Sequence, residues 1–170
     1  MRRRLGTSLY AGFLFTVIGA TAWASGEPFI FPSLGPSAFI LAFERRGSRT
    51  RTYRVVGSHL IGAVAGLLAY TLFASGVALA STPPASVDGF RLALSGVVSI
   101  VLTAWGMLAS RTIHAPACAT TLIVSLGLLS TPRQVAIILV SVVVLVAVPR
   151  AVLRAFSRIV GDSYHRHAVE

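Results

Sequence analysis

Two histidines and a handful of hydroxyls are the residues with chemical potential in this sequence. His59 stands in Val55-Val56-Gly57-Ser58-His59, and His114 opens His114-Ala115-Pro116-Ala117-Cys118-Ala119-Thr120-Thr121. Ser33 and Ser37 lie in a second cluster of prolines and small residues, Phe31-Pro32-Ser33-Leu34-Gly35-Pro36-Ser37-Ala38. Imidazole and hydroxyl groups can donate hydrogen bonds to an anion, and a protonated imidazole can also attract one. No catalytic set is expected. Only Cys118 with His114 could pair a nucleophile with a base, no carboxylate lies in an apolar run to support them, and His114 precedes the expected helix start. No metal or other cofactor is expected either, because two histidines without a cluster of acids or thiols make a poor ligand set. A single cysteine, Cys118, excludes an internal disulfide.

The elements that carry these residues are unusually apolar. The chain has 170 residues, 55% of them hydrophobic and 12% charged. A soluble domain carries about 25% charge, so a chain this apolar must use lipid as its solvent. The formal net charge of +10 comes from 15 arginines and five acids. The arginines sit between apolar runs, which points to membrane topology and away from nucleic acid. One domain is expected over residues 1–170, with a polar tail at 157–170.

Six uncharged runs can be counted: Leu5–Gly26, Pro28–Phe43, Val55–Val87, Leu92–Ser110, Thr112–Pro132 and Gln134–Pro149. A spanning helix needs about 20 apolar residues. The last run reaches that length if Arg150 and Arg154 snorkel to the surface. The second and fifth hold the proline clusters, which helices rarely traverse. Each is expected to be an extended entry followed by a short helix starting at Pro36 or Pro116. If all six runs cross, with the N-terminus inside, 13 arginines lie inside and only Arg91 and Arg133 outside. If the two broken runs dip in and return, the split is 8 to 7. Basic loops stay cytoplasmic, so six crossings of an inner membrane, with both termini cytoplasmic, are expected. The alternative reading of the start is a cleavable signal peptide ending near Ala22-Trp23-Ala24.

The order long helix, broken segment, long helix occurs twice, over about 5–80 and about 89–156. Thr21-Ala22-Trp23 recurs as Thr103-Ala104-Trp105, and Pro36-Ser37-Ala38 aligns with Pro116-Ala117-Cys118. Three crossings per half invert the second half relative to the first. The expected fold is therefore all-α, with six membrane segments in two inverted three-segment repeats, each with a half helix. Inverted repeats with discontinuous helices are a transporter or channel signature. The two short helices would point their N-termini at each other near the midplane. Unpaired amides and the positive dipole ends would then favour an anion there. The expected binding residues are Ser33, Gly35, Pro36, Ser37, Ala38, His59, His114, Pro116, Ala117, Cys118, Thr120 and Thr121. The bland reading is that small residues and prolines only let helices pack closely. The stripe Ser58, Gly62, Gly66 serves either such internal packing or a homo-oligomer contact.

The cluster His114-Ala115-Pro116-Ala117-Cys118-Ala119-Thr120-Thr121-Leu122 resembles the HPPAGATAL signature of the HPP transmembrane family. Leu34-Gly35-Pro36-Ser37-Ala38 is similar to that family's FGAS-type segment, and Val55-Val56-Gly57-Ser58-His59-Leu60 to its VIGGHL-type segment. The resemblance covers about residues 5–156. Ala115 replaces the middle proline of the signature and Cys118 a glycine. Characterised members include nitrite transporters of chloroplasts and cyanobacteria, so the resemblance implies nitrite or a similar small anion as partner, beside the lipid bilayer. The rival expectation is a membrane assembly module without transport, its basic loop holding anionic lipid.

Overall fold

The computed structural model describes residues 2–27, 29–43 and 48–160. His165 and His167, with most of the polar tail, lie outside the described residues. All regular structure among the described residues is helical: α1 (Arg2–Ser25), α2 (Leu34–Phe43), α3 (Ser48–Ala69), α4 (Val87–Ser110), α5 (Ala117–Ser125) and α6 (Pro132–Val160). Among the described residues, four stretches are long and apolar enough to cross a membrane: Leu5–Ser25, Thr52–Ser81, Val87–Ser110 and Pro132–Ala151. α2 and α5, at 10 and 9 residues, are the two short helices.

Local chemistry accounts for the boundaries. Gly26, in the left-handed region at φ 66°, follows α1 and supplies the conformation that commonly closes a helix. Ser86 caps α4: its hydroxyl accepts from the Gly89 amide at 3.0 Å, and Asp88 lies in the first turn, where negative charge meets the positive end of the helix. α6 opens with a reciprocal cap, the Thr131 amide donating to Gln134 Oε1 at 3.1 Å and the Gln134 amide to Thr131 Oγ1 at 3.3 Å. Pro132 then occupies the first helical position, where its missing N–H costs nothing. The long third run does not continue as one α-helix. It passes into a π-helical turn at Tyr70–Ala74, then a 3-10 turn at Leu79–Ser81.

Pro116 directly precedes α5, as its sequence predicts. α2 begins at Leu34, two residues earlier than the expected start at Pro36. The reason is that Pro36 sits in the first turn, where an amide has no intrahelical acceptor to lose.

α1 packs on α2 and α6, α4 packs on α5 and α3, and α2 reaches α6 as α5 reaches α3; α3 and α6 also pack on each other. The core between α1, α2 and α6 is apolar, built on Leu14, Ile18, Leu34, Leu41, Ile138 and Leu145. The contact of α5 with α3 and α4 is instead rich in buried hydroxyls. Trp23 and Trp105, 88% and 71% exposed, point outward among many exposed apolar side chains, as expected of surfaces that meet lipid.

Candidate functional site

The small-residue stripe of α3 faces inward. A Cβ on Gly62 would lie 2.6 Å from Thr121 Oγ1 and 2.8 Å from the Ala117 carbonyl oxygen, and one on Gly66 would lie 2.8 Å from the Thr121 carbonyl oxygen. Glycine is what lets α5 lie against α3 at this distance. The stripe therefore serves internal packing, and it places the start of α5 beside His59, one turn before Gly62.

Four buried side chains meet at that point. His59 Nδ1 and Thr120 Oγ1 are 2.8 Å apart. Ser37 Oγ, from the first turns of α2, lies 3.1 Å from His59 Nε2 and 3.1 Å from His114 Nε2. The two rings are tilted by 56° with centroids 5.5 Å apart. Ser37 also donates to the Ser33 carbonyl at 2.9 Å. Ser37, His59 and Thr120 are fully buried, and His114 is 6% exposed.

With both rings neutral, one arrangement gives every proton in this chain an acceptor. Thr120 donates to His59 Nδ1, His59 and His114 each donate from Nε2 to Ser37 Oγ, and Ser37 donates to Ser33. Buried polar groups pay a penalty unless they are paired, so this arrangement orders the cluster.

The remaining expected residues have varied surroundings. Ser33 is fully buried, and its hydroxyl has no hydrogen-bond partner. It precedes α2 without capping it, unlike Ser86 before α4. Gly35 has open space, with no atom within 4 Å of where a Cβ would stand. Pro36 is exposed, while Ala38 is 2% exposed and part of the apolar core. Pro116 and Ala117 are buried, and Cys118 is half-buried with a free thiol. Thr121 is turned away from the histidines. It sits 2.9 Å from Thr103 Oγ1 and donates to the Ala117 carbonyl at 3.2 Å, so it belongs to the packing of α5 on α4.

Bare amides at the start of α5 are fewer than its sequence suggests. The amides of Ala117, Cys118 and Ala119 donate to the carbonyls of His114, Ala115 and Pro116. A tight 3-10 turn uses these donors, which an uncapped helix would leave free. The donors left at the site are thus mainly side chains. Among the described residues, no three His, Cys, Asp or Glu side chains group as metal ligands.

Sequence reading missed a further row of hydroxyls. Ser95, Ser99 and Thr103 recur every four residues on α4, all fully buried, and Ser95 donates to the Ser125 carbonyl at 2.8 Å. The spacing was legible in the run Leu92–Ser110. Arg54 was read only as a topology charge, yet its guanidinium donates to the Ile113 carbonyl at 2.9 Å and holds the segment leading to His114.

The family model for the HPP transmembrane region matches residues 2–164. The chain belongs to the HPP transmembrane family. The three segments quoted for the resemblance lie inside that match, and in this HPP-family membrane protein they supply all four members of the buried cluster: Ser37, His59, His114 and Thr120. No curated protein and no solved structure matches the chain.

Proposed function

We propose that this membrane protein passes a small monovalent anion, nitrite first among the candidates, through a site where the start of α2 meets the start of α5. The observation that carries the reading is Ser37 Oγ at 3.1 Å from both imidazoles, a buried polar junction drawn from three separate segments. Ionisable groups inside a membrane protein are functional by default, since their burial is expensive. The orphaned, fully buried hydroxyl of Ser33 offers a donor one helical turn before Ser37. Nitrite itself comes from the family resemblance. In this reading the chain does no covalent chemistry on the anion.

The layout we infer is six crossings in two inverted halves with both termini cytoplasmic. The packing pairs support it. Exchanging α1 with α4, α2 with α5 and α3 with α6 interchanges the helix pairs named above two by two and returns the α3–α6 pair to itself. The arginine distribution, 13 against 2, supports the orientation.

The test is nitrite uptake into vesicles holding the purified chain, with nitrate, formate and chloride as competitors. Saturable uptake that Ser37→Ala reduces at least tenfold is expected. Wild-type uptake no faster than in protein-free vesicles, for all four anions, overturns the reading.

A further inference from the structure

The four side chains of the buried cluster carry no fixed positive charge; a fixed one, the Arg54 guanidinium, stands outside it at the Ile113 carbonyl. The four bond one another and the Ser33 carbonyl, and the first amides of α5 are already used. A monovalent anion entering this region would bring an uncompensated charge into a low-dielectric interior, which is strongly unfavourable. Arg54 is already bonded to the Ile113 carbonyl and lies outside the hydroxyl–imidazole chain, so inside the cluster the groups able to gain a compensating positive charge are the two imidazoles.

The hydrogen bonds distinguish between the rings. Both nitrogens of His59 are engaged, Nδ1 as the acceptor for Thr120. A proton added at that atom would make it a donor to Thr120 Oγ1, and the Thr120 proton would lose the acceptor it has in the neutral cluster. His114 is engaged only through Nε2, and its Nδ1 has no hydrogen-bond partner among the described residues. A proton can join that lone pair without breaking any bond of the cluster. The two rings, with centroids 5.5 Å apart, repel a second positive charge, which limits the pair to one proton.

We propose that the proton is a co-substrate: His114 takes one at Nδ1 for each anion bound and releases it as the anion leaves. The proposal rests on the anion-transport reading above. One proton and one anion enter from one aqueous phase and leave to the other, and the imidazole returns to its neutral form, so each cycle moves no net charge. Among the described residues, the other ionisable groups at the near ends of the elements around this pair are these. α2 contributes none. α3 brings Tyr53 and Arg54 near its start, and Arg54 is tied to the Ile113 carbonyl. α5 brings Cys118, α4 brings Arg111 at its C-terminal end, and α6 brings Arg150, bonded to Thr52.

The experiment measures initial nitrite uptake, with formate as a second probe, into vesicles holding the full chain. The rate in protein-free vesicles is subtracted, because the undissociated acids cross lipid unaided. The potential is set with potassium and valinomycin, and the pH gradient is set separately. The expected result is uptake accelerated several-fold by an inside-alkaline gradient and unchanged by an inside-positive potential. His114→Gln, which keeps a donor but cannot take the proton, should lose the response to the gradient. Uptake that follows the potential and ignores the gradient overturns proton coupling while leaving anion transport standing. Uptake equal to that of protein-free vesicles overturns both. A His114→Gln chain that still responds to the gradient overturns the assignment to His114, and the wild-type comparison decides proton coupling itself even if that variant does not fold.

Discussion

His59 Nδ1 and Thr120 Oγ1 lie 2.8 Å apart although 61 residues separate them in the chain. The contact ties the middle of a long apolar helix to the first turn of a nine-residue one. Ser37 gives its one proton to the Ser33 carbonyl, so His59 Nε2 carries the ring hydrogen toward Ser37 and Nδ1 is left to accept from Thr120.

Thr120→Val removes that donor while keeping the shape of the side chain. The buried acceptor left behind should cost about 1–3 kcal/mol, read as a lower unfolding midpoint in detergent. Nitrite uptake should fall with it. Thr120→Ser restores the hydroxyl and should recover most of both.

Gly62→Ala and Gly66→Ala press a methyl against the backbone and side chains of α5. Each should destabilise by about 1–3 kcal/mol through overpacking. Gly12→Ala is the control, since nothing stands within 4 Å of that position, and alanine there should stabilise the helix by up to about 1 kcal/mol. Equal midpoints for all three variants would refute the close approach of α3 and α5.

Gly35→Val meets no atom of the protein within 4 Å at its Cβ. Expression and unfolding should stay close to wild type. Uptake is the discriminating readout: its loss would put the anion path on the Gly35 side of α2, about 200° round the helix from Ser37. Wild-type flux through this variant would remove Gly35 from the site.

Cys118 is the single cysteine of the chain and is half-buried in the first turn of α5. Modification by a small anionic thiol reagent should proceed, slow down when nitrite is present, and block uptake. Cys118→Ala should retain uptake and become indifferent to the reagent. A labelling rate that does not respond to nitrite would place the thiol away from the anion path.

Membrane character was readable from residues alone. Charge is absent over runs long enough to span lipid, and the cost of placing charge there is a one-body effect that needs no neighbour. The two interrupted segments were legible for a similar reason, since Pro36 and Pro116 constrain their own backbone wherever they sit. The caps at Ser86 and Thr131-Pro132-Arg133-Gln134 are equally local. Pair relationships were not readable. Ser58, Gly62 and Gly66 announced a close contact without naming its partner, which is α5. Thr120 and Thr121 are adjacent in sequence and alike in chemistry, yet one meets His59 and the other Thr103. Neighbours on a helix point about 100° apart, so only the packing of α5 between α3 and α4 separates their roles. The amides at the start of α5 likewise looked free until the 3-10 turn from His114 to Ala119 was seen. Tertiary structure alone decided that Ser37 would stand between two histidines from other segments, because such a meeting depends on how three helices settle against one another and leaves no periodic trace in the chain.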